Sequence, residues 1–190
     1  MARENKSKFA ILGFLAHEPL SGYDIKKRIE SGVNNFYDIS YGQIYPELSK
    51  MELGGLVTKE VETNEKGPAR KIYTITSAGR SALKEWVATG VEEEKVQYDI
   101  LLKLFFGSQV SIEENIRNIK GFRDRNLKKL KMLEAFEQNL RGVLGESKDH
   151  IFYLQTVLFG IGVCHAYINW ANQAILDLTE FSKERNGGVT

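Results

Sequence analysis

The segment DISYGQIYPELSKMELGGLV, residues 38–57, decides the fold of this chain of 190 residues. Ser40 is followed three residues later by Gln43, which is the spacing of a capping box at the start of a helix. Gly54 and Gly55 close the segment, and glycine ends helices because it takes the left-handed conformation without a steric penalty. Apolar side chains recur at a helical period between these limits, at Ile44, Leu48 and Met51. The segment therefore predicts a short, amphipathic helix with a capped start.

Two further helices are predicted upstream of this segment. The first covers residues 8–16, is apolar around most of its circumference and ends before Pro19. Ser21 and Asp24 repeat the capping-box spacing and begin a second helix that runs to about Ser31. Two short helices joined by a tight connection, the second one capped, are typical of a helix-turn-helix.

Two strands are predicted downstream, over residues 56–62 and 70–76, because both stretches are rich in β-branched and aromatic residues. Tyr73 and Ile75 alternate onto one face of the second strand. Turn-forming residues 63–68 lie between the strands and predict a hairpin. Basic side chains lie near its tip, at Lys66, Arg70 and Lys71. Three helices followed by a hairpin predict a winged helix-turn-helix.

The rest of the chain is predicted to be helical, beyond an acidic, glycine-containing boundary at residues 89–95. Two long helices are expected, from Ser111 to the glycines at 142 and 145, and over about 149–181. A helix of thirty residues spans roughly 45 Å, more than the diameter of a small domain, so a second copy of the chain is the simplest partner. Apolar positions on the last helix alternate steps of three and four, which predicts a heptad seam of Ile151, Leu154, Leu158, Ile161, His165, Ile168, Asn172 and Ile175.

The predicted fold class is therefore mainly α with a small β-hairpin wing. A winged helix-turn-helix DNA-binding domain is expected at residues 1–90, and a C-terminal helical dimerisation domain at residues 96–185.

Composition narrows the class of protein. The net charge of +1 gives no global basic field, so contact with nucleic acid must come from a local patch. The single cysteine, Cys164, excludes an intramolecular disulfide framework and a cysteine-based zinc site. The most membrane-like stretch, residues 151–170, is interrupted by Gln155, His165 and Asn169. We expect a cytoplasmic protein with no membrane association, no metal and no cofactor, and with no catalytic constellation.

The chain resembles the PadR family of transcriptional regulators, and the matching motifs span its N-terminal half. The family implies a homodimer that binds a roughly palindromic operator in double-stranded DNA, usually as a repressor. It also implies dimerisation through the C-terminal helices and, in several members, release of DNA by small aromatic effectors. The motifs are LSGYDI at 20–25, SYGQIYPEL at 40–48, LGGLV at 53–57, GPARKIYTIT at 67–76 and AGR at 78–80. Gln43 departs from the family, which commonly has Thr or a similar residue there, and the resemblance therefore implies a change in the bases that are read.

Residues at the start of a recognition helix reach base edges, which makes Tyr41, Gln43 and Tyr45 candidate DNA contacts. Glutamine pairs bidentately with adenine, and tyrosine hydroxyls bind phosphates. Gln43 either reads a base or only completes the cap. Lys50 is placed near phosphate. The wing residues Lys66, Arg70 and Lys71 suit phosphate contacts, which add salt dependence and no sequence reading.

Pro46 allows two interpretations. It either kinks the helix to fit a groove, or the helix begins nearer Gln43 and the proline lies in its first turn. A basic cluster on the long helix, Lys120 to Lys131, either flanks the DNA or forms a solvated face. On the last helix, Phe159, His165, Tyr167 and Trp170 are candidates to line an effector pocket, although a satisfied core histidine is the default interpretation of His165. The alternative function is a winged helix that contacts only protein.

Overall fold

The computed structural model describes residues 6–33, 36–37, 39–62, 69–91, 93 and 96–187, with the backbone alone for 185–187. The chain divides into two compact units, residues 1–93 and 94–190. The helices and strands follow one another as α1 Ser7–Leu15, β1 Leu20–Ser21, α2 Gly22–Ser31, α3 Ile44–Leu53, β2 Val57–Glu62, β3 Arg70–Ile75, α4 Ser77–Ala88, α5 Asp99–Phe105, α6 Ile112–Gly142 and α7 His150–Gly187. The fold is that of a winged helix-turn-helix followed by a helical unit, as the sequence predicts.

The N-terminal unit packs α1 to α4 on a three-stranded antiparallel sheet of order β1–β3–β2. Leu12 of α1, Ile25 of α2 and Leu48 of α3 are fully buried in its core. The ring of Phe9 stacks on Trp86 of α4 with centroids 4.5 Å apart. Each such apolar side chain contributes about 1.5–3 kcal/mol through burial, so these helices are held mainly by their shared core.

The sheet contains a short strand that the sequence did not predict. Leu20 pairs with Tyr73 and Ser21 with Ile72, which places the start of α2 beside strand β3. Strands β2 and β3 pair from Val57 with Ile75 to Glu62 with Arg70. Their connection, with Lys66 and the rest of residues 63–68, lies outside the described residues. We call β2, β3 and this connection the wing.

The C-terminal unit is built on the antiparallel pair α6 and α7. Leu130 and Leu133 of α6 pack against Cys164 and Ile168 of α7. The seam of α7 is formed by Leu154, Val157, Ile161, Cys164, Ile168 and Ala171. The predicted seam was therefore wrong in part: it shares Leu154, Ile161 and Ile168, but Ile151, His165 and Asn172 are exposed.

Helix α7 leaves much apolar surface uncovered. From His150 to Glu184 it is long and apolar enough to cross a membrane by length and composition alone, although core helices of soluble proteins pass the same test. Only 17% of its most apolar stretch is buried within the chain. Most of this apolar surface is therefore not covered by the described residues.

Candidate nucleic-acid interface and effector groove

Helix α3 divides its side chains between the core and the surface. Ile44, Leu48 and Met51 are buried. The side chains of Tyr41 and Tyr45 are 39% and 56% exposed, and that of Lys50 is 72% exposed. Gln43 is exposed as well. The structure therefore brings four of the predicted DNA-contacting residues to the surface at α3 and the turn before it.

The predicted capping box at Ser40 and Gln43 was wrong. Residues Tyr41–Gln43 form a 3₁₀ turn, and neither this turn nor α3 has a side-chain cap at its start. Pro46 is the third residue of α3, where backbone N–H groups have no intrahelical acceptor, so the proline sacrifices no helix hydrogen bond. Of its two interpretations, the later helix start is the correct one. Gln43 has no capping hydrogen bond that would compete with base contact.

Helix α2 contacts the rings of both Tyr41 and Tyr45. The Lys26 ammonium lies 5.2 Å from the centroid of the Tyr41 ring, a cation–π contact. Gly22 leaves room for the ring of Tyr45, because a Cβ on that glycine would stand 2.6 Å from Tyr45 Cε1. The orientation of the two exposed rings is thus set by the first turns of α2.

The predicted wing cations lie in different surroundings. Arg70 Nη2 donates to Asp24 Oδ2 at 2.6 Å and to Ser21 Oγ at 3.3 Å. Lys71, one residue later, is exposed on the opposite side of strand β3. On α3, Lys50 forms an ion pair with Glu47, whose side chain is nearly buried, at 3.6 Å.

An aromatic cluster joins three helical segments of the C-terminal unit. The hydroxyls of Tyr98 and Tyr167 are 2.9 Å apart, and the Phe122 ring lies 5.5 Å from Tyr167 and 5.8 Å from Trp170. Burial, followed by the hydrogen bond to Tyr98, raises the pKa of Tyr167 to about 12. The cluster therefore keeps the Tyr167 hydroxyl neutral at physiological pH.

Two members of the cluster, Tyr98 and Phe122, line a groove of about 490 Å³ between the start of α5 and the middle of α6. Tyr98 and Phe122 supply aromatic surface, and Asn118 and Asn126 supply amides. Three cations and one carboxylate face it, namely Lys103, Arg125, Lys129 and Asp99. Asp99 pairs with Lys103 at 3.0 Å, so the groove carries an excess of positive charge.

Of the four predicted effector residues, two belong to this cluster, Tyr167 and Trp170. Phe159 is 69% exposed and His165 is exposed, so neither joins the cluster. The default interpretation of His165 as a core histidine was also wrong. Sequence reasoning missed Tyr98 and Phe122, which come from distant segments and have no shared motif. Part of the basic cluster is explained here, since Arg125 and Lys129 face the groove and Arg123 pairs with Asp124.

A helix-turn-helix with a two-stranded wing and an exposed first turn of α3 places the chain in the class of winged-helix transcriptional regulators. Residues 11–85 match the "Transcriptional regulator PadR-like family", and residues 96–179 match "Virulence activator alpha C-term". The negative transcriptional regulator PadR of Bacillus subtilis is 31% identical over 134 residues, which cover 70% of this chain and 74% of that protein. The chain belongs to the PadR family.

Solved structures of the Bacillus subtilis relative extend the likeness to the whole fold. Its complex with operator DNA matches with a TM-score of 0.80 and 27% identity, over 92% of this chain and 99% of that one. Its complex with p-coumaric acid matches with a TM-score of 0.71 and 27% identity, over 90% and 94% of the two chains.

Proposed function

We propose that the protein is a cytoplasmic, homodimeric repressor that binds a roughly palindromic operator and is released by a small aromatic effector. The observation that carries the proposal is the start of α3 together with the 3₁₀ turn before it. These two segments expose Tyr41, Gln43 and Tyr45, while the opposite face of α3 is buried in the core. A relative with the same fold has been solved on operator DNA, which supports this use of the helix. The family consists of regulators, so we assign no catalytic role.

The roles follow from side-chain chemistry. Gln43 reads a base edge, since a glutamine amide matches the donor and acceptor of adenine. Tyr41, from the 3₁₀ turn, and Tyr45, from the start of α3, contact phosphate or bases, and Lys50 contacts phosphate. Lys66 and Lys71 of the wing bind phosphates and make affinity depend on salt. Two copies related by a twofold axis meet half-sites about one helical turn (~10 bp), or a multiple of it, apart.

The effector role is assigned to the groove beside Tyr98 and Phe122. Its aromatic wall suits a planar ring, and its excess of cations, including Arg125, suits a carboxylate. A relative has been solved with p-coumaric acid, an aromatic carboxylic acid. Effector binding then shifts the population of dimers away from the form that binds DNA.

The test is selection of bound sequences from random double-stranded DNA, followed by footprinting. We expect a protected palindrome. Gln43→Ala should relax base preference at one position per half-site, at a cost of about 1–3 kcal/mol for the preferred base. Lys50→Ala should lower the affinity for all DNA sequences by the same factor. Lys84→Ala, an exposed lysine of α4, is the matched control. Failure to select any sequence at moderate salt would favour the protein-contact function instead.

The same assay repeated with aromatic carboxylic acids tests the effector role. For each variant, the ratio of operator affinities without and with the acid is the relevant quantity. We expect Arg125→Gln and Phe122→Ala to bring this ratio close to one, and His165→Ala, at an exposed candidate outside the groove, to leave it as in the wild type. A ratio that depends on His165 and not on Phe122 would remove the groove from the proposal.

A further inference from the structure

We propose that Arg70 is a positioning residue, which holds the wing against the first turn of α2 through Asp24 and does not contact phosphate. The inference rests on the proposed DNA-binding function and alters one of its assigned contacts. Wing cations are ordinarily expected to face the phosphate backbone. The guanidinium of Arg70 pairs with the Asp24 carboxylate of α2 instead, although the Arg70 side chain is 50% exposed.

The contact is a small polar network at the N-terminus of α2. Asp24 Oδ2 accepts from Ser21 Oγ at 2.6 Å, from the Ser21 backbone N–H at 3.3 Å and from Arg70 Nη2 at 2.6 Å. Ser21 Oγ accepts in turn from the Asp24 N–H at 3.2 Å, which completes the capping box. The charge of Arg70 is therefore joined to a cap that α2 needs independently of DNA.

The network also fixes the orientation of the wing. Ser21 pairs with Ile72 in the sheet, and Arg70 is the first residue of β3, paired with Glu62 at the end of β2. The contact between Arg70 and Asp24 thus ties the outermost described strand pair of the wing to α2. The same turn of α2 contains Gly22, which seats the Tyr45 ring. One helical turn consequently sets the positions of both the wing and an α3 side chain.

Competition with phosphate also favours positioning. Taking the guanidinium away from Asp24 would break a charge-assisted hydrogen bond and leave a carboxylate close to the phosphate backbone. The hydrogen bonds from Ser21 and the pairing with Arg70 hold the pKa of Asp24 below its ordinary value, so the carboxylate stays charged at neutral pH. Lys71 is the contrasting residue, since it is exposed on the other side of the strand.

The experiment compares Arg70→Gln, Asp24→Asn, the double variant and Lys71→Gln in the full-length protein. Operator affinity is measured over a range of salt concentrations, and hydrogen exchange of the β3 amides is measured without DNA. Positioning predicts that Arg70→Gln and Asp24→Asn each weaken operator binding about tenfold, that the double variant is no weaker than either, and that the salt slope is unchanged. Lys71→Gln should make the slope shallower by about 2 per dimer.

The sign of the Asp24→Asn effect separates the two roles. If Arg70 contacted phosphate, loss of a nearby carboxylate would leave operator binding unchanged or tighter, and Arg70→Gln would reduce the salt slope as Lys71→Gln does. Either result, or independent addition of the two effects, overturns the inference. If the wild type selects no DNA, the proposed function fails. The positioning role of Arg70 is then tested only by the hydrogen exchange of the β3 amides measured without DNA. Faster exchange at the start of β3 in both single variants supports this role, and unchanged exchange overturns it.

Discussion

Two buried glycines show how much depends on the single atom that a new methyl group would meet. A Cβ at Gly79 would lie 2.2 Å from the backbone oxygen of Leu56 and 2.8 Å from Ile75 Cγ1. A Cβ at Gly22 would lie 2.6 Å from a ring carbon of Tyr45. At Gly79 the new Cβ would meet a backbone oxygen and a core side chain, and neither can move without a large energetic cost. At Gly22 it would meet an exposed ring that can rotate away.

We therefore predict different outcomes for two identical substitutions. Gly79→Ala should destabilise the protein by about 1–3 kcal/mol or more, because it overpacks the contact between α4 and the sheet. Gly22→Ala should change stability by less than about 1 kcal/mol but weaken operator binding, because it displaces Tyr45. Chemical denaturation and operator titration measure the two quantities. Equal losses of stability, with unchanged affinity for Gly22→Ala, would contradict the role given to the Tyr45 ring.

At the scale of helices and strands, some local sequence signals are sufficient to predict where an element lies. The sequence located nearly every helix and both long strands, because caps, glycine stops and periodicity agreed there. Ser21 caps α2 as predicted, and Thr76 caps α4. Ser40 has the same spacing signal and does not cap. A helix begun at Ser40 would put Pro46 at its sixth position, where an N–H is needed, so the chain makes a 3₁₀ turn and starts α3 at Ile44.

This difference between caps is measurable. Thr76 Oγ1 accepts from the Gly79 N–H at 3.1 Å and donates to the Gly55 carbonyl at 2.7 Å. Thr76→Ala should therefore cost about 1–2 kcal/mol of the free energy of unfolding of the N-terminal unit. Ser40→Ala should cost less than about 0.5 kcal/mol. Denaturant titrations of the two variants compare them directly, and a large loss for Ser40→Ala would restore the capping box.

The sequence did not correctly predict which side chains of α7 pack against α6. This helix is apolar around most of its circumference, so heptad steps fit two neighbouring registers equally well. The seam lies one residue from several predicted positions, on Cys164 and Ala171, because α6 supplies leucines to that side. The candidate site shows the same limit. Periodicity predicted Tyr167 and Trp170 on one helix, but the partners Tyr98 and Phe122 are known only from tertiary packing.

At the scale of the whole molecule, the face of α7 that does not pack against α6 carries exposed aromatic side chains. Phe152 and Phe159 are seven residues apart on one side of the helix and are 66% and 69% exposed. Two phenyl rings at this spacing form a stripe typical of a helix–helix seam. A second copy of the chain, required by the proposed twofold operator, presents the same stripe and can cover it.

We predict that Phe152→Glu or Phe159→Glu dissociates the dimer. Covering a phenyl ring contributes about 1.5–3 kcal/mol per side, and an unpaired buried carboxylate costs several kcal/mol more, so the dimer dissociation constant should rise at least about 100-fold. Leu53→Glu is the control, since Leu53 is 90% exposed at the end of α3 and far from α7 in sequence. Sedimentation velocity over a concentration series measures the change. Because a monomer reaches only one half-site, operator affinity should fall in parallel with dimerisation, and dimers that persist in both phenylalanine variants would place the interface elsewhere.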